Sequence, residues 1–213
     1  MNDCPICGHR GSFRGIQSRC RFTKEVLDRF VCPSCDVVFG SMAMIRMPLD
    51  GLKREYDKLY SAYSENDTTQ WEMRTFLSMK PKVGRHYLDF GCGKWSHTIG
   101  EATKVGFAVT GYDPYVGSRE IGQPGTYDGI FSHNVIEHLQ DPIGELRRMA
   151  SLLKPGGVMA HSTSCFEYRD HESKYHLFFF LGRSVKILAQ KAGFVMTDTL
   201  NEGEYIRRNF VKV

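Results

Sequence analysis

The chain has 213 residues, of which 41% are hydrophobic and 24% charged, with a formal net charge of +4. These values fit one ordinary globular domain plus a small appendage, and so mild a basic balance is no argument for nucleic acid by itself. No stretch approaches the roughly 18–20 apolar residues that span a bilayer, the longest apolar run being Leu177-Phe178-Phe179-Phe180-Leu181. Met1-Asn2-Asp3-Cys4 has neither the charged nor the apolar region of a signal peptide. A cytoplasmic location without membrane contact is therefore expected, and the cysteines read as metal ligands or reduced thiols before disulfides.

Cys4-Pro5-Ile6-Cys7 and Cys32-Pro33-Ser34-Cys35 are two CxxC pairs. Two-residue spacing lets both thiolates of a pair reach one ion from a tight turn, and two such turns complete a tetrahedral Zn2+ site. A redox-active CxxC is the competing reading, but it does not require a second pair. Between the pairs a hairpin fits, from Gly11 to Cys20 and back through Phe30-Val31. Residues 1–46 are thus expected to form a small Cys4 zinc ribbon that depends on its metal, because so short a segment has little core of its own. Cys20 is left over, and His9 is a reserve ligand.

Residues 47–82 read as a helical connector or cap. Leu52, Tyr56, Leu59, Tyr60 and Tyr63 recur at helical spacing. Ser64-Glu65-Asn66-Asp67 breaks the pattern, and a second helix is expected from Thr69 to Met79, stopped by Pro81 and Gly84.

From residue 83 to 213 the chain alternates strands and helices. His86-Tyr87-Leu88-Asp89-Phe90 runs into the turn Gly91-Cys92-Gly93, followed by a helix over about 96–105. Such glycines allow close backbone approach to a ligand, and the helix N-terminus behind them is electropositive. Phe107–Tyr112 is the next strand and ends at Asp113, placed to hold ribose hydroxyls. Tyr127–Ser132 is a third strand. A helical stretch from Val135 to Leu153, interrupted or restarted near Asp141-Pro142, precedes a Lys154-Pro155-Gly156-Gly157 turn and a strand at Val158–Ser162. A helix to Ala192, Gly193 at its end, and two closing strands complete an α/β pattern.

A lone GxG suits a dinucleotide equally well. The ordered set, however, resembles the class I S-adenosylmethionine-dependent methyltransferase superfamily. The resemblance rests on Leu88–Gly93, Gly111-Tyr112-Asp113-Pro114, Tyr127-Asp128-Gly129-Ile130, Asn134-Val135-Ile136-Glu137-His138-Leu139 and Leu153-Lys154-Pro155-Gly156-Gly157. It looks like the branch of ubiquinone-type O-methyltransferases and of sugar or small-molecule methyltransferases, and the ribbon in front resembles that of sugar C-methyltransferases. The resemblance implies a Rossmann-like sheet with S-adenosylmethionine as cofactor. Asp89, Phe90, Gly91, Cys92 and Gly93 would cradle its methionine part, and Asp113 with Pro114 would meet the ribose. His133 and Asn134 would lie beneath it, and Arg74 or Tyr60 would reach its carboxylate or close the pocket.

Two departures stand out. Lys94-Trp95 replaces the usual third glycine, and only a short glycine-rich stretch separates Asp113 from Asp128. A crossover needs at least about 10–12 residues, so the usual third, edge strand is expected to be missing. The strand before Asp113 then becomes a sheet edge that a second copy in a homodimer or the ribbon could cover.

Ligand sites in such sheets lie at the C-terminal strand ends, which puts the irregular segment 164–172 over the pocket. Proton removal from an acceptor points to His133, His171 and His176, with Tyr168 as an orienting group. Glu137 with His138 is compatible with a divalent metal without demanding one. The reading is methyl transfer to a small molecule, a sugar or sugar-derived metabolite. One alternative is an rRNA or tRNA methyltransferase using Arg10, Arg14, Arg19 and Arg21 of the ribbon, and another is a non-catalytic scaffold.

Overall fold

The computed structural model describes residues 3–62, 66–94, 96–115, 121–167 and 172–213. Tyr63, Trp95, Tyr168 and His171 lie outside them. The ribbon contributes β1 (Arg14–Arg19), β2 (Val26–Val31) and β3 (Val38–Phe39), followed by the short α1 (Met42–Ile45). The connector is α2 (Leu49–Ala62) and α3 (Thr69–Ser78). The remainder is β4 (His86–Phe90), α4 (Thr98–Lys104), β5 (Ala108–Tyr112), β6 (Tyr127–His133), α5 (Pro142–Leu152), β7 (Leu153–Ser162), β8 (Phe178–Phe179), α6 (Ser184–Lys191), β9 (Phe194–Glu202) and β10 (Tyr205–Lys212).

The large sheet has the order β5-β4-β6-β7-β10-β9, with the first four strands parallel and β10 antiparallel to both neighbours. Its inner strands β4, β6 and β10 are buried on both faces, so successive residues serve different cores. Leu88, Ile130 and Met159 point to one side; Tyr87, Phe131 and Ala160 point to the other, beneath Phe76 of α3. Full burial of the Phe76 ring stabilises by about 3 kcal/mol. α3 lies across β6, β7 and β10, while α5 and α6 cover the opposite face. Among the described residues no strand falls between β5 and β6 along the chain, and β5 is the outer strand of the sheet beside β4, as the short interval after Asp113 predicts.

The interruption expected within 135–153 is present: a 3-10 turn at Ile136–His138 is separated from α5, which restarts at Asp141, whose side chain accepts from the Gly144 amide at 2.9 Å. Two other local expectations need correction. Lys154-Pro155-Gly156-Gly157 is not a turn before a strand. It is a bulge within β7, since Tyr127 pairs with Leu153 and Gly129 already pairs with Val158. Phe178-Phe179 is more than an apolar run. It is the fourth strand of the ribbon's own sheet, ordered β1-β2-β3-β8, with Val38 opposite Phe179 and Phe39 opposite Phe178.

That pairing ties the ribbon to the C-terminal half. Ile6, Val37 and Phe39 belong to the same apolar core as Leu88, Met159 and Phe210. Arg21 N donates to Glu172 O at 2.8 Å and Gly40 N to Leu177 O at 3.1 Å.

Candidate functional site

Cys4, Cys7, Cys32 and Cys35 converge, while Cys20 is buried elsewhere. Each CxxC forms the same turn: Gly8 N donates to Cys4 O at 2.9 Å and Asp36 N to Cys32 O at 3.0 Å, with Gly8 at φ +80° and Asp36 at φ +67°. Cys4 Sγ lies 3.8 Å from Cys35 Sγ, and Cys7 Sγ 3.6 Å from Cys32 Sγ. A tetrahedral zinc with bonds of about 2.3 Å sets its sulfurs about 3.8 Å apart, so the four thiols fit the ion. Amides of Cys7 and His9 point at Cys4 Sγ and Cys7 Sγ, at 3.5 and 3.4 Å, and stabilise thiolate charge. The Cys35 hydrogen bond holds the Cys4 thiol down to about 5 and pushes Cys35 upward.

The glycine turn sits where β4 and β5 end. Gly91 N donates to Tyr112 O at 2.7 Å, which folds the turn across the two strands. Gly91 has φ +79°, and a Cβ there would lie 2.5 Å from Val135 Cγ2. The carboxylate of Asp113 accepts from Gly93 N at 3.1 Å and from Tyr115 N at 2.8 Å, so it braces both loops. A cavity of about 490 Å³ opens beside Asp89, Gly93, Lys94 and Ser96, within the size range of small-ligand sites. Asp89 and Cys92 are buried at its base, whereas the Phe90 ring packs on Tyr112 at 5.3 Å within the core. Pro114 is exposed in the turn after β5.

The connector reaches this turn by contacts that sequence spacing did not reveal. Buried Glu72 of α3 accepts from Thr68 Oγ1 at 2.6 Å and from the Ser96 hydroxyl, and His97 N donates to Thr69 Oγ1 at 2.8 Å. A carboxylate between Trp71 and Phe76 on a core-facing helix was the available signal. Lys94 Nζ lies 5.9 Å from the centre of the Tyr60 ring, which brings Tyr60 to the glycine turn. Arg74 lies over the Tyr205 ring at 4.3 Å and pairs with Glu202 at 2.6 Å, so its charge is held by the β9–β10 hairpin.

His133 and Asn134 occupy the end of β6. His133 Nδ1 is 2.9 Å from Ser162 Oγ, which is 2.6 Å from Thr75 Oγ1, itself 3.1 Å from Tyr205 OH. Burial pushes the His133 imidazole down to about 4, so the ring is neutral at pH 7. Asn134 adopts φ +52° and its amide donates to Ser162 O at 2.8 Å.

One turn further on stand Glu137 and His138. Glu137 Oε1 accepts from Thr163 Oγ1 at 2.5 Å, and His138 Nδ1 lies 2.9 Å from Tyr175 O and 3.2 Å from Tyr56 OH. His176 is brought against them, its ring 5.0 Å from that of His138 and its Nδ1 3.6 Å from Cys165 Sγ. Burial lowers both imidazoles, His138 to about 3 and His176 to about 4. Tyr56 stacks on Tyr115 at 4.7 Å and forms a wall with Tyr60 and Tyr175. His171 and Tyr168 belong to the part of this segment outside the described residues.

The sequence profile of a family described as "Methyltransferase domain" matches residues 64–199. A ubiquinone biosynthesis O-methyltransferase of Xanthomonas campestris pv. campestris (strain B100) is 33% identical over 67 residues, covering 32% of this chain and 26% of that protein. The counterpart from Albidiferax ferrireducens is 30% identical, covering 39% of this chain and 42% of its own length. The chain therefore spans well under two thirds of these curated relatives. The 1,6-didemethyltoxoflavin-N1-methyltransferase of Burkholderia thailandensis, solved with 1,6-didemethyltoxoflavin and S-adenosylhomocysteine, shares the fold at a TM-score of 0.62 and 14% identity, covering 92% of this chain and all 100% of that one.

Proposed function

The chain belongs to the methyltransferase-domain family, and from that premise we propose that it transfers a methyl group from S-adenosylmethionine to a small-molecule acceptor, with sugars or sugar-derived metabolites the first class to test. The observation that carries the reading is the brace between Gly93 and Asp113 beside a glycine turn in which a Cβ at Gly91 would strike Val135. A backbone cradle with an acidic side chain at the next strand end suits the cofactor's methionine and ribose parts. Asp89, Gly91, Cys92 and Gly93 would hold the former and Asp113 with Pro114 the latter, with Tyr60 at the rim. When bound, the cofactor supplies an electrophilic methyl group on a sulfonium.

The chain's own residues then have to align an acceptor and take a proton. His133 is neutral at pH 7, and its Nδ1 contact with the Ser162 hydroxyl fixes the ring at the strand end. The ring is thus in the unprotonated form that a general base requires, although burial makes it a weaker base than a free imidazole. His176, His171 and Tyr168 are the remaining candidates. In the ribbon, the four cysteines hold Zn2+ as a structural ion. Its role is to support the acceptor-side segment through β8. Residues 1–46, 47–82 and 83–213 are read as ribbon, connector and catalytic domain.

Against RNA as the acceptor, Arg10 pairs with Asp3 at 3.6 Å and Arg21 with Glu172 at 3.8 Å, which reduces the free basic charge of the ribbon. The outer strand β5 is the surface proposed for a homodimer, and a cytoplasmic location is retained as part of the reading. No helix among the described residues is long and apolar enough to cross a membrane.

The test is transfer of isotopically labelled methyl from S-adenosylmethionine to a panel of acceptors, sugars first and bulk RNA as comparison. Labelled small-molecule product that disappears in His133→Ala supports the assignment. Label in RNA alone would replace the acceptor class.

A further inference from the structure

Thr75 on α3 and Ser162 at the end of β7 are fully buried, so their hydrogen bonds have to be completed by the protein itself. A serine or threonine hydroxyl has one proton to give and two lone pairs to accept with. Along the contacts that lead to His133, these rules leave one place for each proton. We infer that Thr75 and Ser162 are positioning residues, which hold His133 as the tautomer protonated on Nδ1 and so keep Nε2 as its basic nitrogen.

The chain of contacts is anchored on α3. Thr75 Oγ1 donates to Trp71 O at 2.9 Å, one turn back along the helix. A carbonyl only accepts, so the single proton of Thr75 is used there. Its two other contacts, Ser162 Oγ at 2.6 Å and Tyr205 OH at 3.1 Å, must then both donate to it. The Ser162 proton is thereby committed. The contact between Ser162 Oγ and His133 Nδ1, at 2.9 Å, therefore takes its proton from the ring. Ser162 also reaches Ser132 O, at the long distance of 3.5 Å. Whether Ser162 donates to Thr75 or to that carbonyl, it has no proton left for Nδ1.

The far side of the imidazole agrees. Asn134 Nδ2 lies 3.2 Å from His133 Nε2. An amide nitrogen only donates, so Nε2 turns its lone pair outward. A neutral imidazole has one donor and one acceptor nitrogen, and its two neighbours assign them independently.

The use of this arrangement rests on the methyl-transfer reading; the tautomer does not. When an acceptor gives up its proton, the new bond is Nε2–H. The positive charge gained by the ring then strengthens the bond from Nδ1–H to Ser162. The hydroxyls do not carry that proton away, because Thr75 points its own proton at a carbonyl and Tyr205 donates into the chain. They anchor the base, and the proton leaves from Nε2 beside the exposed Asn134.

The test is a long-range proton–nitrogen correlation spectrum of the full, zinc-loaded chain carrying isotopically labelled histidine, at pH 7. The His133 signals are identified by their loss in His133→Gln, and the other histidines report that each variant is folded. The expected wild-type pattern is a protonated Nδ1 and an unprotonated Nε2. Ser162→Ala removes the acceptor of the Nδ1 proton, and Thr75→Val frees the Ser162 proton to turn on Nδ1. Both should shift His133 toward the Nε2-protonated form. Thr75→Ser should keep the wild-type pattern, as should Tyr205→Phe, which removes only a donor into Thr75. An Nε2-protonated ring in the wild-type chain, or an unchanged pattern in both Ser162→Ala and Thr75→Val, would overturn the inference. Absence of S-adenosylmethionine binding to the same sample would remove the methyl-transfer reading and leave the tautomer standing.

Discussion

Arg29, on the second strand of the ribbon, donates from Nη1 to the backbone oxygen of His176 at 2.8 Å, across 147 positions of chain. The same guanidinium is fully buried, reaches the carbonyls of Gly40 and Ser173, and lies over the Phe179 ring. It therefore clamps the acceptor-side segment from the ribbon side. Arg29→Met leaves buried carbonyls without a donor, at about 1–3 kcal/mol each. A fall in unfolding free energy of about 3 kcal/mol or more is expected in urea titration, with faster amide exchange at 172–180. Unchanged exchange there would show that the clamp is redundant.

Metal removal follows the same path. On the proposed zinc assignment, a chelator strong enough to strip the four thiolates should unfold the ribbon. β8 then loses its partner, and residues 172–183 should become sites of early proteolysis. Retained protease resistance after complete zinc loss would contradict the structural role.

At the glycine turn, Gly91→Ala forces a side chain into a left-handed conformation and against Val135. The expected cost is about 1–3 kcal/mol of stability, with S-adenosylmethionine affinity reduced at least ten-fold. Pairing it with Val135→Ala should recover stability in part, since the clash is relieved and the backbone strain is not. Wild-type affinity in the single variant would remove the turn from the binding site.

Acid stability depends on buried imidazoles. His161 is fully buried, its Nε2 meets no hydrogen-bond partner among the described residues, and burial lowers it to about 3. The folded state thus binds fewer protons than the unfolded state between about pH 6.5 and pH 3. This group's contribution is complete above pH 6.5 and is lost as pH falls, at about 1.4 kcal/mol per unit. His133 acts in the same direction. Asp128 is different: burial raises it, but Lys154, the His86 amide and Arg85 more than offset this and bring it to about 2. Its contribution is present above about pH 4 and is lost only below that. Urea unfolding at pH 7 and pH 5 should show a drop of about 2 kcal/mol or more, smaller in His161→Gln. An equal drop in the variant would exclude His161 as a source.

Much of this architecture was legible in the sequence because it is written in short-range signals. The CxxC pairs, the Gly91–Gly93 turn and the brevity of the Asp113–Asp128 interval each have a local physical meaning that the fold keeps. What stayed hidden depends on distant partners. Phe178-Phe179 has too few residues to show a strand period, and only Val38-Phe39 makes it one. Arg29 reads as an ordinary polar position of a hairpin until residues 173–179 enclose it. Glu72 stands on a core-facing helix, but its partners Ser96 and Thr68 are fixed only by the fold. His176 reads as one of several loop histidines, and the link to β8 is what sets it beside Glu137 and His138.

The most direct test of the central claim is a calorimetric titration of the zinc-loaded chain with S-adenosylmethionine and its demethylated product. Asp113 braces Gly93 and Tyr115 at the expected ribose position. The account predicts one site per chain with micromolar affinity for both compounds, abolished in Asp113→Ala. No binding of either compound to folded, zinc-loaded protein would contradict it.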